Sequence, residues 1–387
     1  MSQTRHTTIP ETLFVNEVRL GARSWALVAA LVLAVVALTP PVWRRVERFD
    51  PGQDYRIPYA LSKDYWLYER RLDQVTDPRT VLVLGDSVVW GEYVLPDGTL
   101  SHFLSADRGQ PGGFVNAGVN GLFPLALEGL VDHYSPAVHG RKVLLHCNVL
   151  WMSSPKADLQ VDKEERFNHV GLVPQFSPRI PCYRADANAR LSILVERQLP
   201  FLKWVNHLQN AYFDQKSIPQ WTLADDGGDP PHYPNSYRNP LAAITLRVPD
   251  APSLDPQRGP TSARHRPWTA AGNGPTRFDW VALDTSLQWA AFQRVVGRLQ
   301  ARGNEVMVVV GPFNEHMIAA DNRAAFLHLR DGIVAWLRAQ QVPFVAPDPL
   351  PSPLYADASH PLTEGYALLA ERLLATPTFA RWVGAGR

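Results

Sequence analysis

An unbroken apolar run, Val81-Leu82-Val83-Leu84, stops at Gly85-Asp86-Ser87. A strand of this kind feeding a Gly-Asp-Ser corner puts the serine at the carboxyl edge of a sheet, the rim where open α/β folds carry their chemistry. The pattern downstream fits that frame. Strands are expected at 80–84, 113–116, 142–146, 305–310 and 342–345, with helices at 99–106, 122–134, 285–302, 322–340 and 362–374. Such alternation implies a five-stranded parallel sheet, covered by helices on both faces and joined by right-handed crossovers. Between 155 and 280 the regularity stops: one amphipathic helix is expected at 187–213, then a Pro-, Gly- and Asp-rich stretch from Ala224 to Gly274. That is too long for a simple connection and reads as a large irregular and helical insertion that covers or shapes the site.

Ahead of the globular region, Ser24 to Leu38 is almost wholly apolar, and the apolar stretch extends to Trp43 through Pro40 and Pro41. About 20 such residues cross a bilayer. Residues 24–43 are therefore expected to form one transmembrane signal anchor, after a short tail (1–23) and before a juxtamembrane segment (44–78) with a helix near 64–74. Trp25 and Trp43 stand where interfacial aromatics would. A cleaved signal peptide and a buried core helix are the rival readings; no small-x-small site precedes a polar mature start. Arg19 and Arg23 on one side and Arg44 and Arg45 on the other nearly cancel the positive-inside argument. The preferred orientation puts the large domain in the periplasm or at the cell surface, because only this segment can export it.

With 387 residues, 45% of them apolar, there is ample material for one large domain, taken as 79–376 with the insertion inside it. The net charge of +1 and the lack of a basic tract or zinc-finger spacing exclude a nucleic-acid partner. Cys147 and Cys182 fit no metal spacing; they are two free thiols or, outside the cytosol, a disulfide. No metal or other cofactor is expected.

Four short pieces each follow an expected strand: Ser87; Gly118 and Gly121; Asn148; and, after a short loop, Asp357 and His360. In a parallel sheet all lie on one edge. Together, Gly85-Asp86-Ser87-Val88 with Gly91, Asn116-Ala117-Gly118-Val119-Asn120-Gly121, His146-Cys147-Asn148-Val149 and Asp357-Ala358-Ser359-His360-Pro361 resemble the sequence blocks of the SGNH hydrolase superfamily, the GDSL-type esterases and lipases. The resemblance covers roughly 80–150 and 285–375 and leaves out the insertion. It departs from the family at Val88, usually Leu, and at Cys147 and Val149, where the third block usually sets Gly before the Asn and Asp after it. The fold it implies is a flavodoxin-like three-layer α/β/α domain.

The resemblance implies Ser87 as nucleophile, His360 as its base and Asp357 as the group that orients the imidazole. It implies an oxyanion hole made by the backbone N–H groups of Ser87 and Gly121 and the side-chain amide of Asn148. The chemistry agrees: a hydroxyl is a poor nucleophile until an imidazole takes its proton. Asp86 reads as a turn residue. His146 is an additional polar group near the site, and Asn314 and His316, after the fourth strand, are candidate substrate contacts. His232 and His265, in the insertion, read as surface residues. Three functions stay open. One is an esterase that removes an acyl or acetyl group from a small molecule or glycan. Another is an O-acyltransferase on an extracytoplasmic polysaccharide, working with a membrane acyltransferase. The third is a non-catalytic glycan-binding or assembly module.

Overall fold

The computed structural model describes residues 20–107, 109, 113–223, 238–251, 265–272 and 274–384. Most of the expected tail, Arg19 included, and His232 with the rest of 224–237 and 252–264 lie outside the described residues. Two compact units divide the chain, Met1–Arg45 and Val46–Arg387. The first holds nearly all of α1 (Ala22–Val46), a helix long and apolar enough to cross a membrane. Its Trp25, Leu27, Leu31, Leu33 and Leu38 side chains are exposed. The helix runs on through Pro40 and Pro41, three residues past the expected end at Trp43.

The second unit begins with α2 (Tyr65–Asp73), capped by the Asp64 carboxylate. There follow β1 (Val81–Gly85), α3 (Ser87–Trp90), α4 (Leu100–Asp107), β2 (Phe114–Gly118), α5 (Pro124–Tyr134) and β3 (Lys142–Cys147). Four helices come next: α6 (Ala187–Gln198), α7 (Pro200–Tyr212), α8 (Ile218–Thr222) and α9 (Pro240–Ala243). The chain closes with α10 (Leu287–Ala301), β4 (Glu305–Val310), α11 (Arg323–Ala339), β5 (Phe344–Val345), α12 (Thr363–Ala375) and α13 (Pro377–Gly384). The single helix expected at 187–213 is two helices. Pro200 has no N–H to continue α6 and instead opens α7 at its first turn.

The five strands form one all-parallel sheet in the order β2-β1-β3-β4-β5. Strand parity sorts the apolar side chains between two cores. Leu82, Leu84, Val143, Leu145, Val306 and Val308 pack with Leu130 of α5, Phe292 of α10 and Ile333 of α11. Val81, Val83, Leu144, Met307 and Val309 pack with Leu104 of α4, Leu369 of α12 and Phe379 of α13. Each such side chain contributes about 1.5–3 kcal/mol by leaving water. The polarity of the strands then delivers the residues after β1, β2, β3 and β4 to one rim.

Candidate active site

Ser87 opens α3 directly after β1. Asp86 is the N-cap: its Oδ1 accepts from the Val88 N–H at 3.0 Å, and its backbone is extended. The turn sits tight on the sheet because Gly85 has no side chain; a Cβ there would stand 2.5 Å from Val89 Cγ2 and 2.8 Å from His146 Cβ. The short helix ends at Gly91, in the left-handed region at φ 88°. Buried Arg56 clamps that end, donating to the carbonyls of Trp90, Gly91 and Val94. Tyr366 of α12 donates to the Val88 carbonyl at 2.7 Å. The Ser87 turn is thus fixed from three sides.

The loop after β5 brings His360. His360 Nε2 lies 2.8 Å from Ser87 Oγ, across 273 residues of chain. On the other side of the ring, Nδ1 donates to Asp357 at 2.8 Å from both carboxylate oxygens. Asp357 Oδ1 also accepts from the backbone N–H groups of Ser359 and His360, each at 2.9 Å. Burial disfavours the charged form of His360, but the Asp357 carboxylate, the hydrogen bond to it, and the charges of Glu92 and Asp86 outweigh that and push its pKa up to about 9. Burial likewise opposes ionisation of Asp357, yet the imidazole and the two backbone donors hold its carboxyl well below the usual range. Hydroxyl, imidazole and carboxylate in line allow a proton to pass from Oγ to Nε2 while Asp357 supports the cation formed.

Asn148 follows β3 and is buried. Its Oδ1 accepts from Leu150 N–H at 3.0 Å, capping a 3-10 turn at Val149–Met152, and its Nδ2 donates to Asp86 Oδ2 at 3.0 Å. Trp151 Nε1 donates to the same oxygen at 2.9 Å. His146 Nδ1 is 3.1 Å from Asp86 Oδ1, without hydrogen-bond geometry. Burial alone would raise the Asp86 pKa, but His146, the Asn148 amide and His360 hold it low. Asn148 and His146 thus meet at Asp86, the residue before Ser87.

Gly121 has φ 71°, where a side chain is strained, and a Cβ would come within 2.3 Å of the Asn168 amide. The preceding carbonyl, of Asn120, accepts from His169 Nε2 at 2.7 Å, while Tyr65 donates to His169 Nδ1 at 2.9 Å. Burial keeps that imidazole neutral, its pKa lowered to about 4. Asn314 is fully buried; its backbone N–H donates to the Ala358 carbonyl at 2.8 Å and its Nδ2 to the Asp357 carbonyl at 3.0 Å. His316 donates from Nε2 to the Leu350 carbonyl at 3.0 Å. Cys147 and Cys182 are both free and buried.

Sequence reasoning passes over several groups here. Glu92 is buried with Oε2 3.5 Å from His360 Nε2. Tyr93, at φ 68°, sets its ring edge-on to His360 at 5.4 Å between centroids and meets His265 at 4.7 Å. His265, expected at the surface, is half-buried against this tyrosine. His169, Arg56 and Trp151 complete the set; none lies in a periodic or motif position that would mark it. A separate cavity of about 580 Å³, lined by Arg48, Tyr55, Arg247 and Asp250 among others, includes none of the triad residues.

No protein-family model matches the chain, and no curated protein matches it.

Proposed function

We propose that the protein is a membrane-anchored serine hydrolase of the SGNH type, cleaving an acyl ester through an acyl-enzyme. The observation that carries this reading is the continuous chain from Ser87 Oγ to His360 Nε2 at 2.8 Å and from His360 Nδ1 to Asp357 at 2.8 Å. In acylation, Nε2 takes the Oγ proton as the Oγ–C bond forms, then returns it to the leaving alcohol as the ester C–O bond breaks. Water next gives a proton to Nε2 and attacks the acyl carbon; that proton goes back to Ser87 as the Oγ–C bond breaks. The oxyanion is assigned to the Ser87 and Gly121 N–H groups and to Asn148. Asn148 gives one amide N–H to Asp86, so its second N–H is the one for the oxyanion. A lost donor of this type costs about 10²–10³ in kcat.

Asn314 and His316 fit positioning better than substrate contact, since the first is buried under the Asp357 loop and the second is tied to a loop carbonyl. His146 fits support of the nucleophile turn. The strand order and the two cores favour a flavodoxin-like three-layer domain, with 155–280 as its insertion. The length and apolarity of α1 favour a single-pass anchor; an extracytoplasmic domain is the orientation proposed with it. O-acyl transfer is the second reading: His265 beside Tyr93 sets a residue of the expected insertion near His360, where it can favour a glycan hydroxyl over water.

The test is hydrolysis of p-nitrophenyl acetate by the detergent-solubilised chain. Turnover is expected for the wild type and background rates for Ser87→Ala; equal rates would refute the assignment. Adding acceptor oligosaccharides and looking for acylated product separates transfer from hydrolysis.

A further inference from the structure

The last turn of α1 carries Arg44 and Arg45, side chains suited to the headgroup level of a bilayer. Beyond Val46 the chain is fixed at once to the second unit. Glu47 is buried and bonded to Arg70, to His207 at 3.0 Å and to Tyr212. Arg48 forms a parallel bridge with Arg247: its N–H donates to the Leu246 carbonyl at 2.9 Å, and its carbonyl accepts from the Val248 N–H at 3.0 Å. A flexible tether would let a domain stand away from a membrane; a chain pinned at Glu47 and Arg48 does not. Two peptide steps and one bridge spacing keep Leu246 within about 12 Å of the end of α1, whatever the angle between the two units.

The surface tied to that point is apolar. Outside α1, every large apolar side chain exposed among the described residues, except Leu95, lies between Phe176 and Leu246. Leu223 at the end of α8 is 57% exposed, Leu241 of α9 77% and Leu246 41%. The elements that carry them are joined to one another and to the bridge. The Arg238 N–H ahead of α9 donates to the Thr222 carbonyl of α8 at 3.3 Å; Trp221 of α8 meets Phe213 at the end of α7, 5.2 Å between ring centroids; and Tyr212 donates to the Arg247 carbonyl at 3.1 Å. Leu246 has φ 53°, uncommon for a residue other than glycine. A single exposed leucine is ordinary, but three on elements tied to the exit of an apolar helix mark an interaction surface. The exposed charges along the bridge are of both signs, Arg48 and Arg247 with Asp50 and Asp250, so they single out no anionic or cationic ligand.

We propose that α8, α9 and Leu246 form a docking surface for the bilayer itself, with Leu223, Leu241 and Leu246 entering the boundary between headgroups and acyl chains of the membrane that α1 crosses. This rests on the single-pass anchor reading above. Removal of the three side chains from water drives the contact. Helix and surface together then hold the second unit in one attitude to the membrane plane.

The experiment places the full chain in phosphatidylcholine nanodiscs, one chain per disc, with the environment-sensitive fluorophore NBD on Leu223→Cys, Leu241→Cys or Leu31→Cys, the last in α1. Gly297→Cys, exposed on α10, is the water-facing control. Cys147 and Cys182 are buried, and the unsubstituted protein taken through the same labelling gives the background. Labels at 223 and 241 are expected to emit to the blue of the one at 297, to be quenched by nitroxide-bearing lipid and to be shielded from aqueous iodide. With the label at 31 in lipid, iodide quenching at 223 or 241 equal to that at 297 overturns the docking surface and leaves the anchor standing. Protection of 223 and 241 from both quenchers also overturns it, because protein rather than lipid then covers the leucines. A label at 31 that iodide reaches and nitroxide lipid does not is a failure of the anchor reading, and the proposal falls with it. Should a cysteine variant fail to fold, hydrogen exchange on the unsubstituted chain decides: amides of α8 and α9 must be protected more in nanodiscs than in detergent micelles, and equal protection overturns the proposal.

Discussion

At the scale of single residues, the site is governed by groups that hold other groups. Asn314 illustrates this. Its amide donates to the Asp357 carbonyl and its backbone N–H to the Ala358 carbonyl, so it ties the His360 loop to the turn after β4. Asn314→Leu removes the side-chain donor and leaves a buried carbonyl unpaired, a loss of about 1–3 kcal/mol. We expect a lower melting temperature and, because the carboxylate is no longer held at Nδ1, a fall in kcat larger than any rise in KM. Steady-state kinetics at saturating ester check this; a change confined to KM would argue for the substrate contact first expected of Asn314. Ser87, Asp357 and His360 were legible because each belongs to a short block with a fixed local geometry. Glu92 and His169 were not. A carboxylate in a turn and a histidine in an irregular segment have no periodicity, and only the folded chain shows what each one faces.

At the scale of elements, close approach of α3 to the sheet decides whether Ser87 is presented at all. Gly85→Ala sets a methyl 2.5 Å from Val89 Cγ2 and 2.8 Å from His146 Cβ, both in packed surroundings. It should destabilise by about 1–3 kcal/mol and slow labelling of Ser87 by a fluorophosphonate. Gly297 is the control: it lies exposed inside α10 with open space around its Cα. Gly297→Ala should stabilise by about 0.5–1 kcal/mol and leave labelling unchanged. Thermal melts and labelling rates on the two variants check both statements. The central strands β1, β3 and β4 were readable because they are apolar on both faces; observed and expected bounds differ there by at most one residue. The break at Pro200 was present in the sequence, but amphipathic spacing on both sides of it favoured one continuous helix. Helix α13 was missed because Pro377–Gly384 is short and follows Thr376 with little warning, although Phe379 and Trp382 bury against the second core.

At the scale of the whole second unit, a buried charge cluster binds distant segments together. His207 of α7 is fully buried, with Nδ1 2.7 Å from Asp64 Oδ2 and Nε2 3.0 Å from Glu47 Oε1. Arg70 of α2 pairs with the same glutamate, and Tyr212 donates to it. Burial disfavours the charged imidazole, but Asp64 and Glu47 outweigh it and push the His207 pKa up to about 9. The folded value lies above the unfolded one, so this stabilisation is complete below the ordinary histidine range, about 6.5, and is lost as pH rises through about 9. Melting temperature should therefore fall between pH 7 and 10. His360 adds a slope in the same window, so the reading is the difference from His207→Gln, which should melt lower at pH 7 and vary less with pH; an identical slope would count against the cluster. Nothing local foretold it, since its members come from 47 to 212.

The separation of 273 residues between hydroxyl and imidazole has a consequence for biogenesis. A ribosome-bound chain that has emerged only as far as its fourth strand carries the serine but no partner to unmask it. Under the proposed hydrolase function, Ser87 cannot be activated until the loop that carries His360 has been made. The appearance of reactive serine during translation or export would time the closing of the last loop over the sheet.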